Sequence, residues 1–76
     1  MAVYVIRGSE DGVTSVQGSY KKAYEACMMY IYHTVTVRNA PSFTTFKAQL
    51  VKYGTATICD PTDWQVECEA MRMDVE

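Results

Sequence analysis

The chain has 76 residues, of which 49% are hydrophobic and 21% charged, with a formal net charge of −2. That is the composition of one small globular domain, and it excludes a disordered chain and leaves no room for a second domain. No apolar run approaches the roughly 18 residues of a membrane span and no signal peptide is evident, so a cytoplasmic protein with no membrane partner is expected.

In chain order, Ala2 to Arg7 is β-branched and aromatic, which suits a strand. Gly8-Ser9-Glu10-Asp11-Gly12 follows as a turn cluster with glycine at both ends, and Val13 to Gln17 returns as a second strand. Pairing Arg7 with Val13 sets Tyr4 opposite Val16 and Ile6 opposite Thr14. Tyr4, Ile6 and Val16 then face inward, and Val3, Val5 and Ser15 face away.

Ser19 is the N-cap expected for a helix running to about Val35, the longest segment without Gly or Pro that repeats with a helical period. Tyr20, Ala23, Tyr24, Cys27, Tyr30, Ile31 and Thr34 fall on one side of it and predict its buried stripe. From Ile31 onward the residues become β-branched, which leaves 34–38 open between helix and extended chain. Pro41 breaks the chain, Ser42 caps a second helix over Phe43 to Tyr53, and Gly54 ends it. Its apolar stripe is Phe43, Phe46, Leu50 and Tyr53.

Thr55 to Cys59 reads as the third strand, and Asp60-Pro61-Thr62-Asp63 as a turn. Trp64 to Met73 reads as the fourth. There Val66, Cys68 and Ala70 alternate with Gln65, Glu67 and Glu69, the pattern of one buried and one wet face. A three-residue loop pairs Ile58 with Val66 and Ala56 with Cys68. The predicted fold is α+β: a two-layer, four-stranded antiparallel sheet in the order strand-strand-helix-helix-strand-strand, with both helices on one face.

Little in this sequence resembles catalytic machinery. His33 is the sole histidine, and Cys27 lies six positions before it, about 120° away around a helix, so the two form no dyad. Glu67 and Glu69 sit about 6.6 Å apart on one strand face, but a flat strand in water raises neither pKa. Asp60 and Asp63 could share a metal, but D-P-T-D is better explained by turn chemistry, and no phosphate-binding glycine motif is present, so neither an enzyme nor a cofactor nor a metal is expected. Cys27, Cys59 and Cys68 are an odd number without C-x-x-C spacing and are expected as free thiols.

Charge is unevenly spread. Residues 19–54 carry five cations against Glu25, a balance of +4, whereas residues 55–76 carry six acids against Arg72, a balance of −5. Lys21, Lys22, Arg38, Lys47 and Lys52 with nearby tyrosines support a second reading, a nucleic-acid-binding regulator using the basic helical middle. The more informative surface is the outer face of the first helix. With the core stripe assigned, Lys21, Lys22, Glu25, Met29, Tyr32 and His33 point outward, and soft and aromatic residues of this kind favour protein contact. A chain this short buries only about 60% of its unfolded surface, so a homodimer mate or another partner would supplement its core.

The segment V-Y-V-I-R-G-S-E-D-G followed by S-Y-K-K-A-Y-E-A, Val3 to Ala26, resembles the opening of small accessory proteins of tailed bacteriophages. In those, a short hairpin runs into a lysine-rich amphipathic helix. The resemblance implies a non-enzymatic protein that binds a host protein or protein complex and inhibits or redirects it. An anti-defence role, including anti-CRISPR, is the leading form of that expectation.

Overall fold

The computed structural model describes residues 1–34, 40–59 and 66–75, with the backbone alone at 32–34. Six elements run in chain order: β1 (Ala2–Gly8), β2 (Gly12–Gln17), α1 (Tyr20–Thr34), α2 (Phe43–Tyr53), β3 (Thr55–Cys59) and β4 (Val66–Asp74). The strands form one open antiparallel sheet in the order β2-β1-β4-β3. Both helices pack on one of its faces, as the α+β pattern requires. A single core joins Ala23, Cys27 and Ile31 of α1 and Phe46 and Leu50 of α2 to Tyr4, Ile6, Ala56, Ile58, Cys68 and Ala70 of the sheet.

Local chemistry accounts for the helices. The Ser19 hydroxyl accepts from the Lys22 amide at 3.1 Å, and the Ser19 carbonyl accepts the first helical bond, from Ala23. Ser42 repeats the device for α2, accepting from the Thr45 amide at 3.3 Å. At the other end Gly54 takes φ of 75° and donates its amide to the Leu50 carbonyl, the left-handed stop that glycine makes cheap. Tyr24 links the helices: its ring meets those of Phe43 and Phe46 edge-on, and its hydroxyl donates to the Pro41 carbonyl at 2.8 Å. The stripe of α2 is narrower than the sequence suggests. Phe46 and Leu50 are buried, Phe43 sits at the rim, and Tyr53 is exposed, because α2 lies over β3 and β4 at the end of the sheet.

Both hairpins depart from the expected register, each through a β-bulge. In the first, Gly8 pairs with Gly12 across a three-residue turn, and Gly12 adopts φ of 69°. Arg7 pairs with Val13 as expected, but Thr14 is then an extra residue, its hydroxyl donating to the Ile6 carbonyl at 3.4 Å. Beyond it the ladder is Ile6 with Ser15, Val5 with Val16 and Tyr4 with Gln17. Val16 therefore lies beside Val5 on the open face, 57% exposed, and Ser15 takes the helix side.

In the second hairpin Ile58 pairs with Cys68 and Ala56 with Ala70, two residues along β4 from the expected partners, and Cys59 pairs with Val66. Glu67 is the extra residue. The bulge reverses the expected burial of its neighbours: Val66 is 45% exposed and Glu67 only 8%. Ser9 makes that burial affordable, since its amide donates to the Glu67 carbonyl and its hydroxyl to the carboxylate at 3.1 Å. The strand runs to Asp74 rather than Met73, ending beside an Arg72–Asp74 ion pair at 3.4 Å. The expected turn at 60–63, the residues Trp64 and Gln65, and the ambiguous segment at 35–38 lie outside the described residues.

Candidate functional site

The N-cap at Ser19 fixes where α1 begins, and the pairing of Ala23, Cys27 and Ile31 with the core fixes its rotation. These two constraints leave Lys21, Lys22, Glu25 and Met29 in solvent, Met29 65% exposed. Met28 is half-buried against the core. The side chains of Tyr32 and His33, and the whole of Arg38, lie outside the described residues.

The outward face of α1 is not a plain ridge. It forms one wall of an open groove of about 520 Å³, whose other wall is the edge strand β2. Thr14, Ser15 and Gln17 line the strand side; Lys22, Glu25, Ala26, Met29 and Tyr30 line the helix side. Three of the sequence-nominated residues, Lys22, Glu25 and Met29, are thereby brought together, while Lys21 is exposed but does not line the groove.

Tyr30 and the β2 residues were not foreseen as part of a site. The signal for Tyr30 was its position one turn on from Ala26. Its ring lies directly against Gly8, where an added Cβ would overlap it, and its hydroxyl accepts from the Glu10 amide at 3.2 Å. The turn residues of the first hairpin thus hold the far end of the groove in place. Ser15 and Gln17 reach the groove only because of the bulge at Thr14, and the Gln17 amide nitrogen donates to the Ser15 hydroxyl at 3.2 Å.

A second unassigned surface is the open face of the sheet. Val5 pairs with both Val16 and Met71, and Val3 with Met73, so an apolar band crosses β2, β1 and β4 on the side away from the helices. Its signal was legible in Ala2 to Ile6, an apolar run on both parities, the pattern of a strand covered on both faces.

The residues weighed for chemistry do not assemble. Glu67 is buried against Ser9, while Glu69 pairs with Arg7 and Thr57 in the ladder on the open side, so they form no pair of solvated carboxylates. Asp60 and Asp63 lie outside the described residues, and among those described no group of three or more His, Cys, Asp or Glu could hold a metal. Cys27, Cys59 and Cys68 are free thiols. Cys27 of α1 and Cys68 of β4 are both fully buried. The Cys68 thiol and burial together push the Cys27 thiol above its ordinary range, which disfavours the nucleophilic thiolate.

The Lys47 ammonium lies 5.4 Å over the Tyr20 ring, and Lys21 and Lys22, next in the chain, are exposed. Lys52 is spent elsewhere, 5.2 Å over the Tyr53 ring. No helix among the described residues is long and apolar enough to cross a membrane. No family model, curated protein or solved structure matches the chain significantly.

Proposed function

We propose that the protein works by stoichiometric binding to another protein, without chemistry of its own, and that it inhibits or redirects that partner. The observation that carries this reading is the groove between α1 and β2, which gathers Lys22, Glu25 and Met29 with Tyr30 around an apolar floor at Ala26. Soft and aromatic side chains bordered by charges are the composition of an interface core with its rim. The phage-type resemblance of Val3–Ala26 supplies the class of partner, a host protein or complex, with anti-defence activity such as anti-CRISPR as the leading form.

The test is capture of partners from a bacterial lysate by the tagged protein, comparing wild type with Met29→Ala and Lys22→Glu. Met29→Ala should weaken capture of a specific protein by about tenfold, at roughly 1.4 kcal/mol per factor of ten. Capture that is unchanged in both variants would sink the reading.

The second reading, direct nucleic-acid binding, is favoured by the Lys47–Tyr20 stack, with Lys21 and Lys22 exposed in the same turn of α1 as Tyr20. Salt separates the two. Binding to phosphate weakens steeply as salt rises, and Lys21→Glu with Lys47→Glu would abolish it while Met29→Ala left it intact.

A further inference from the structure

The groove has a feature that an ordinary helix-side depression lacks: one of its walls is the free edge of a sheet. Among the described residues β2 pairs with β1 alone, so its outer row of backbone N–H and C=O groups has no strand partner. Edge strands are commonly protected by charges, proline or a β-bulge; Gly12–Gln17, GVTSVQ, has neither charge nor proline, and beyond its bulge at Thr14 the residues Ser15–Gln17 pair regularly. The groove side of α1 faces this edge: α1 packs on β2 as well as β1 and β4, and Lys22 and Ala26 line the groove opposite Thr14, Ser15 and Gln17, while the Tyr30 ring reaches inward over Gly8. The groove is thus the space that the inward side chains of one more strand would occupy.

We infer that the partner enters this groove as an extended peptide that adds a fifth strand to β2, its inward side chains seated in turn over Lys22 and Ala26. The inference rests on the reading that the groove binds protein. Four residues of helix rise about 6 Å and two residues of strand advance about 6.7 Å, so inward positions one and three of the peptide are spaced to meet Lys22 and Ala26.

Each position has its own chemistry. Lys22 has no ion-pair partner among the described residues and matches an acidic side chain at the first. Ala26 is the smallest lining residue and leaves room for a branched apolar side chain at the third, where Glu25 on the flank opposes an acid. Met29, exposed on the same wall, offers thioether surface to a neighbouring apolar side chain. The mode is strand addition, in which main-chain bonds give affinity and alternate pockets give specificity.

The probe is a displayed library of nine-residue peptides with threonine at every second position and the others randomised, selected against the intact protein. The inference expects enriched sequences with Asp or Glu two positions from Val or Ile, protection of the Gly12–Gln17 amides in hydrogen exchange, and at least tenfold weaker binding to Ala26→Trp. Lys22→Glu, an exposed change that leaves the fold alone, should switch the first position from acidic to basic. A library that yields no binder, or binders that protect the Val3–Val5–Met71 face and not β2, would overturn it. Lysate capture separates this from the reading beneath. A protein partner retained by Ala26→Trp but lost in Val16→Lys with Met73→Lys leaves protein binding standing and removes strand addition; recovery of nucleic acid alone removes both.

Discussion

The two faces of the sheet are built from the same strands and have opposite fates. On the helix side, Ile6, Ala56, Ile58, Cys68 and Ala70 are sealed under α1 and α2, and Ser15 and Gln17 of β2 open onto the groove. On the other, Val3, Val5 and Met71 are half-buried by their neighbours alone, and Val16 and Met73 stand in water. Apolar area is therefore divided between a face that stabilises the domain and a face that contributes little to it. At about 25 cal/mol per Å² the first is where folding energy resides. Substitutions that rank the two faces differently would break this division.

The largest effect is expected at Ile58. It is fully buried, pairs with Cys68 and packs where the core of both helices meets the sheet. Ile58→Ala should cost about 2–5 kcal/mol through lost transfer energy and the cavity left behind. A urea midpoint close to wild type would show that the covered face is not the stabilising one.

Next comes Gly8. A Cβ there overlaps the Tyr30 ring, which is the movable end of a side chain, so Gly8→Ala displaces the ring instead of unfolding the sheet. The expected loss is about 1–3 kcal/mol, together with loss of the Glu10–Tyr30 hydrogen bond and distortion of the groove. Thermal unfolding combined with tyrosine fluorescence would detect both. Gly8→Ala combined with Tyr30→Ala should recover part of the loss, because the obstruction is gone.

Third is the contrast between neighbours at the β4 bulge. Glu67→Ala removes the acceptor for the Ser9 hydroxyl and empties a buried position, and should cost about 1–2 kcal/mol. Val66→Asp, on a half-exposed side chain, should cost less. Simple alternation along Val66–Ala70 demands the opposite ranking, so denaturant midpoints for this pair test the bulge directly.

That reversal shows where sequence stops specifying structure. The caps at Ser19 and Ser42, the stop at Gly54 and the burial of Ala23, Cys27 and Ile31 on α1 depend on residues within one turn of each other, and these were legible; the side chain of Thr34, expected on the same stripe, lies outside the described residues. The bulges were not. Thr14 and Glu67 become extra residues through partners distant in sequence: the Thr14 hydroxyl bonds the Ile6 carbonyl, and Ser9 bonds Glu67. One clue did exist. Val13 and Val16, three apart, share a face only if a residue between them is extra. The groove inherits this limitation. Lys22, Glu25 and Met29 followed from the helical period, but their opposing wall depends on the bulge at Thr14.

The smallest effect on stability, and the sharpest test of the open face, is expected from Val16→Thr. Val16 lies beside Val5 on the side away from the helices, is more than half exposed and sits on an edge strand. Threonine keeps the β-branch and hence the strand preference, so only a little apolar area changes. The shift in unfolding free energy should stay within about 0.5 kcal/mol, as for surface substitutions generally. Self-association supplies the second readout. If two copies stack their open faces, the sedimentation coefficient should rise with concentration, and Val16→Thr with Met73→Thr should abolish that rise while leaving the melting temperature at infinite dilution unchanged. A domain that sediments as a monomer at every concentration, with or without these changes, would leave the open face to some other protein. A single Val16→Thr that loses more than about 2 kcal/mol as a monomer would show that this face already contributes to folding, and the comparison between the two faces would fail.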